Sequence, residues 1–178
     1  MRREDPVIEI KINTPEQLLN SFDPSPFHTR DLDDRAADYI IESAEEAGSG
    51  PPLLLVIELP GDQAVRELSK DLPTALHNSF RYRASQSRLR LRDMFRIGRL
   101  SLAIGLSVLG LCTLVIHVLE LSGADSTFAQ LTEQGLFILG WVALWRPLEI
   151  FLYDWWPLMR RIHLLERLSD ATVEIRPT

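Results

Sequence analysis

"ALWRPLEIFLYDWWPLMRR", residues 143–161, decides how this chain is read. An apolar run leads into it as into a membrane span. Then Arg146, Pro147 and Glu149 interrupt. Either a helix crosses a bilayer with charges in it, or it stops short and lies on the surface. The clean run Gly135–Trp145 extends only about 16 Å at 1.5 Å per residue, too little for a hydrocarbon core of about 30 Å. Upstream it meets Thr132, Glu133 and Gln134 at once. Downstream, past Arg146 and Glu149, it recovers Ile150, Phe151 and Leu152 and closes on "YDWWP". There Tyr153, Trp155 and Trp156 form the aromatic belt expected at a membrane interface. Gly135–Trp156 therefore reads as one span holding a polar pair, with a surface-lying helix as the alternative.

An earlier segment sets the context. Leu100–Leu121, "LSLAIGLSVLGLCTLVIHVLEL", has no charge until Glu120 and no polar face before His117. It reaches about 33 Å, enough to cross. Its length argues against the alternative, a core helix of a soluble protein.

Charge divides the 178 residues into three parts. Residues 1–80 carry 16 Asp and Glu against 7 Lys and Arg, and residues 81–99 carry 7 Arg and one Asp. From Leu100 to Pro157 apolar residues dominate. The net charge of −6 describes none of these parts. Basic residues flank both candidate spans, before the first and, as Arg160, Arg161 and Arg167, after the second, while the intervening 122–134 has none. The positive-inside rule then expects both termini in the cytoplasm and 122–134 as an external loop. Seventeen of the 19 basic residues are Arg, the usage of a GC-rich bacterial genome, so the expected location is a bacterial inner membrane. "MRREDPVIEI" lacks the apolar core of a cleavable signal peptide. The one cysteine, Cys112, allows no intrachain disulfide and no cysteine metal cluster.

The expected fold class is membrane α+β: an antiparallel two-helix transmembrane hairpin with a small cytoplasmic head of two or three strands and two helices. The segments are a head (1–72), an Arg-rich juxtamembrane helix (73–99), spans at 100–121 and 135–156, and a C-terminal helix and strand (157–178). In the head, "VIEIKI" (7–12) alternates as a half-buried strand, and "TPEQLLNSF" follows as a short helix with Thr14 as N-cap. "LDDRAADYIIESAEEA" reads as a helix with Leu32, Ala36, Tyr39, Ile40 and Ala44 as its apolar stripe. "LLLVIEL" (53–59) reads as a central strand, and a further helical stretch starts from about Gln63. Strand, helix, strand is a crossover joining parallel strands. "ATVEI" (171–175) alternates and is available as a third strand, closing the head with both ends of the chain. For the spans, Ser101, Ala103, Gly105, Ser107 and Gly110 on one side and Gly135, Gly140 and Ala143 on the other permit close approach.

Arg146 and Glu149 are three apart, so they share a helix face and form an expected ion pair turned to protein rather than lipid. Tyr153, four beyond Glu149, can offer its hydroxyl. Pro147 cannot donate to the carbonyl of Ala143, which leaves an acceptor for the guanidinium. Leu139 and Val142 join this face, while Trp141, Trp145 and Trp156 point elsewhere. Arg81, Arg88, Arg92, Arg96 and Arg99 fall on one face of the juxtamembrane helix and, with Arg160 and Arg161, suit anionic lipid headgroups.

Other constellations are sparse. His28 lies near Asp23, Asp31, Asp33 and Asp34, which are better explained as turn formers and helix-start residues. His117 is a candidate haem or pigment ligand with no second histidine at its depth, and His77 and His163 have no chemical company. No nucleophile motif, phosphate-cradling glycine loop or zinc motif is present in the sequence. The expectation is a non-enzymatic accessory or scaffold subunit of a larger membrane complex, with no cofactor, no metal and no nucleic acid. Its expected partners are lipids and other membrane subunits or a second copy. A small oligomeric channel or transporter component using the Arg146/Glu149 pair, or a ligand-sensing head on a membrane anchor, are the alternatives.

Overall fold

A computed structural model of the chain describes residues 7–24, 31–48, 53–60, 70–122 and 127–177. His28 and the helical stretch expected from about Gln63 lie outside the described residues. In chain order the elements are β1 (Val7–Lys11), a 3-10 turn (Pro15–Leu18), α1 (Asp34–Glu46), β2 (Leu54–Leu59) and α2 (Leu72–Leu121). Then come α3 (Thr127–Glu149), a π-helical turn (Ile150–Asp154), α4 (Trp155–Ser169) and β3 (Thr172–Pro177). The described residues form two compact units. One comprises those up to Arg88 together with those from Arg160 onward; the other is Leu89–Met159.

The first unit, the head, is built on a three-stranded sheet in the order β1-β2-β3, parallel throughout. The strands pair in a register that follows from their period of two. Ile8 and Ile10 stand beside Leu55 and Ile57, and these beside Val173 and Ile175. All six therefore share one face. That face joins a core with Ile40 and Ile41 of α1, Leu72, Leu76 and Phe80 of α2, and Leu165 and Leu168 of α4. The opposite face carries Glu9, Lys11, Glu174 and Arg176, which are exposed, around a fully buried Val56. The edge strands β1 and β3 thus alternate as half-buried strands, while the central β2 is apolar on both faces.

Three head details differ from the sequence reading. "TPEQLLNSF" forms only the four-residue 3-10 turn, and Thr14 makes no side-chain cap; the Asn13 N–H instead donates to Gln17 Oε1 at 2.9 Å. Helix α1 starts behind Asp33, whose carboxylate accepts from the Arg35 N–H at 3.0 Å. Counting from that cap, Ala37, Ile40, Ile41 and Ala44 are buried, while Tyr39 is 54% exposed and Ala36 only half-buried. His77, expected to stand alone, shares a hydrogen bond with the Ala171 carbonyl at 2.8 Å, joining α2 to the start of β3.

Two helical runs are long and apolar enough to cross a membrane: Leu72–Leu121, and the continuous Thr127–Ser169 that α3, the π turn and α4 make together. Only 11% and 17% of their most apolar windows are buried. Leu100, Ile104, Leu111, Phe137, Trp141 and Val142 are all more than half exposed. Such a continuous apolar surface is unlike that of a soluble monomer. Helix α3 begins at Thr127, so Thr127–Gln134, expected in the loop, is helical. Glu133 and Gln134 read as breaks in hydropathy, yet both are ordinary helix formers.

Glycines mark where these helices touch. A Cβ built on Gly98 would stand 2.9 Å from Ile150 Cγ2, one on Gly105 2.7 Å from the Ala143 carbonyl oxygen, and one on Gly140 2.7 Å from Leu109 Cδ1. Phe95 stacks on Phe151 with ring centroids 6.1 Å apart. Gly110 and Gly135 meet nothing within 4 Å and take no part in the seam.

Candidate functional site

The quoted stretch folds into a charged turn at the end of α3. Arg146 Nη1 lies 3.1 Å from Glu149 Oε2 and 3.2 Å from Asp154 Oδ2. The other oxygen of Glu149 accepts a hydrogen bond from the Trp145 indole N–H at 2.8 Å. One guanidinium thus bridges two carboxylates, and an indole completes the nearer one. Trp145 was expected to point away. It is one turn before Glu149, and the long reach of the indole brings its N–H onto the carboxylate.

Tyr153 does not join this site. It is 70% exposed, and its place is taken by Asp154. The reason is the π turn at Ile150–Asp154. In an α-helix the residue seven positions after Arg146, Tyr153, returns to its face. A π turn bonds i to i+5 and inserts one extra residue, so the eighth, Asp154, returns instead.

Two prolines bracket the shift. Pro147 removes the donor that would reach the Ala143 carbonyl, and Pro157 removes the one for Tyr153. The Ala143 oxygen lies over Gly105 rather than toward the guanidinium, against the expectation that Arg146 would use it. The widened turn leaves a further carbonyl at Phe151, which accepts from the Trp155 indole N–H at 3.0 Å. Trp155 and Trp156 are in edge contact, with centroids 5.8 Å apart. The tryptophans here are therefore structural donors as well as apolar bulk.

The arginine stripe divides. Arg88 donates through Nε and Nη2 to Glu166 Oε1, at 3.1 and 2.5 Å. Arg83, half-buried and outside the expected stripe, pairs with Asp34 at 3.0 Å. Arg81, Arg92, Arg96, Arg99, Arg160 and Arg161 are exposed, with no ion-pair partner among the described residues. His117 Nδ1 lies 3.7 Å from Glu120 Oε2, both exposed, and His163 is exposed. Among the described residues, no three His, Cys, Asp or Glu side chains are arranged to hold a metal ion.

Of the sequence signals, the spacing of three pointed to Arg146 and Glu149. Asp154 was missed because its contact depends on the π turn. The two prolines ten residues apart, Pro147 and Pro157, were its only trace. Compared with protein-family models, characterised proteins and solved structures, the chain matches none.

Proposed function

We propose that this chain is an integral membrane accessory or scaffold subunit, non-enzymatic, with a cytoplasmic head and a two-helix antiparallel hairpin in a bacterial inner membrane. The observation that carries the reading is the pairing of β2 with β3, Leu55 beside Val173 and Ile57 beside Ile175. The two strands flank α2, α3 and α4 in the chain, and hydrogen-bonded strands share one side of a bilayer. The intervening chain must then cross an even number of times. If α2 crosses, α3 returns, and a surface-lying second helix is disfavoured. The falling order of contacts, Gly98 with Ile150, Gly105 with Ala143 and Leu109 with Gly140, supports an antiparallel pair.

In this reading Gly98, beside the arginine collar, is level with Ile150, so the charged turn lies at the cytoplasmic interface rather than mid-span. There Tyr153, Trp155 and Trp156 suit headgroup depth. Arg92, Arg96 and Arg99 lie within about 12 Å of Leu100 along α2, near enough for anionic headgroups, and Arg160 and Arg161 extend the same basic zone. Arg88, already engaged by Glu166, is less available to headgroups, while Arg81 remains exposed. A channel built on Arg146 is the weaker reading, because two carboxylates on its own helical run already occupy the guanidinium. The exposed apolar faces of α2 and α3 are surfaces for lipid, other subunits or a second copy.

Cysteine accessibility tests the topology. In a Cys112→Ser background, Ser122→Cys reacts with an impermeant maleimide on intact cells, while Ser85→Cys reacts only after lysis. Labelling of both positions on intact cells, or of Ser85→Cys alone, refutes the hairpin.

A further inference from the structure

On the head, α2 and α4 leave a cleft of about 300 Å³ lined by Arg81, Ala84, Arg88, Glu166, Ser169 and Asp170. Its charges balance, two guanidinium groups against two carboxylates, but they are not equivalent. Arg88 and Glu166 neutralise one another directly, and the Ser169 hydroxyl donates to the Glu166 carbonyl at 2.8 Å. This part of the wall is satisfied from within. Arg81 and Asp170 are exposed, and neither side chain has a partner among the described residues.

The backbone that carries each is nevertheless anchored. Arg81 lies one turn after His77, whose ring is bonded to the Ala171 carbonyl, and Asp170 immediately precedes Ala171. The Asp170 N–H is fixed by the Glu166 and Arg167 carbonyls at 3.1 and 3.3 Å. One positive and one negative group, each without a partner among the described residues, therefore lie close in the chain to a single cross-link, and they form no ion pair with each other.

We propose that this cleft binds a small zwitterion. Asp170 holds its primary ammonium, and Arg81 holds its single anionic group, carboxylate or phosphate. A simple anion would meet the carboxylates of Glu166 and Asp170; a simple cation would meet Arg81 and Arg88. A neutral dipolar molecule offsets both at once. The volume is at the lower end for ligand pockets, roughly 300–1,000 Å³, which restricts the ligand to a few heavy atoms beyond its charged ends. Two sources carry this chemistry: a soluble amino acid or phosphoamine, and the phosphoethanolamine headgroup of a lipid.

The test uses the full chain in detergent, titrated calorimetrically with O-phosphoethanolamine and β-alanine, and with phosphate, acetate and ethylamine as half-ligands. At least one zwitterion binds saturably and about tenfold or more tighter than any half-ligand, and Arg81→Gln and Asp170→Asn each weaken it about tenfold. The unliganded melting temperature stays unchanged in both variants, since neither side chain has a partner among the described residues. Nanodiscs of phosphatidylcholine with or without phosphatidylethanolamine separate the sources. Thermal stabilisation by phosphatidylethanolamine that Asp170→Asn abolishes, without binding of the free compounds, identifies the headgroup. Equal binding of a half-ligand, unchanged affinity in both variants, or no response to any zwitterion free or in discs overturns the proposal.

Discussion

The carbonyl oxygen of Ala143 occupies the space a side chain at Gly105 would need, 2.7 Å from an ideal Cβ. Pro147, four residues on, cannot donate to that carbonyl. A carbonyl that Pro147 leaves without its usual helical donor is thereby set against a residue with no side chain.

Gly105→Ala is expected to destabilise the helix pair by about 1–3 kcal/mol, because the obstructing atom is backbone and cannot rotate away. Gly110→Ala, with nothing within 4 Å, should be neutral or gain up to about 1 kcal/mol from helix propensity. Reversible unfolding in mixed detergent measures both. Equal effects would remove Gly105 from the seam.

At the charged turn, Asp154→Asn should lower stability while Tyr153→Phe should not. A double-mutant cycle on Arg146→Gln and Glu149→Gln should return a coupling of about 0.5–3 kcal/mol. Strict additivity would mean that the 3.1 Å contact carries no energy.

Replacing Arg92, Arg96 and Arg99 together by Gln should reduce the anionic lipid retained by the purified chain, at roughly 1 kcal/mol per side chain at low salt. Arg88→Gln should leave retention unchanged, since Glu166 already engages that guanidinium. Mass spectrometry of co-purified lipid distinguishes the two variants.

His77→Leu should cost the head about 1 kcal/mol, the usual net worth of one hydrogen bond, and more if the Ala171 carbonyl is left without a donor. Thermal unfolding followed by far-ultraviolet dichroism reads the loss. No change would make the contact incidental.

Much of this was legible in the sequence, and the remainder was hidden for definite reasons. β3 could be read because Val173 and Ile175 alternate with polar residues. β2 could be read because residues on both its faces are apolar, as a central strand requires. The Arg146–Glu149 contact followed from helical spacing alone. Asp154 did not, because spacing rules assume a constant turn and the π turn changes it after Glu149. Thr127–Gln134 was hidden because hydropathy marks where a helix is greasy, and backbone hydrogen bonds are indifferent to that. In the stripe of α1, Leu32, Ile40 and Ala44 are buried and Ala36 packs against the core, but Tyr39 is exposed and Ala37 and Ile41 complete the face.

The placement of β2 between β1 and β3 also has a consequence for biogenesis. As the chain is synthesised, β2 emerges with one edge satisfied and the other without a partner. That edge stays open through the synthesis of α2, α3 and α4. Under the proposed two-span topology, a chain whose second helix failed to return would leave β3 across the bilayer, and Leu55 and Ile57 would sit on an unfinished sheet open to proteases. In that topology closure of the sheet reports correct insertion, and the last strand made completes the head.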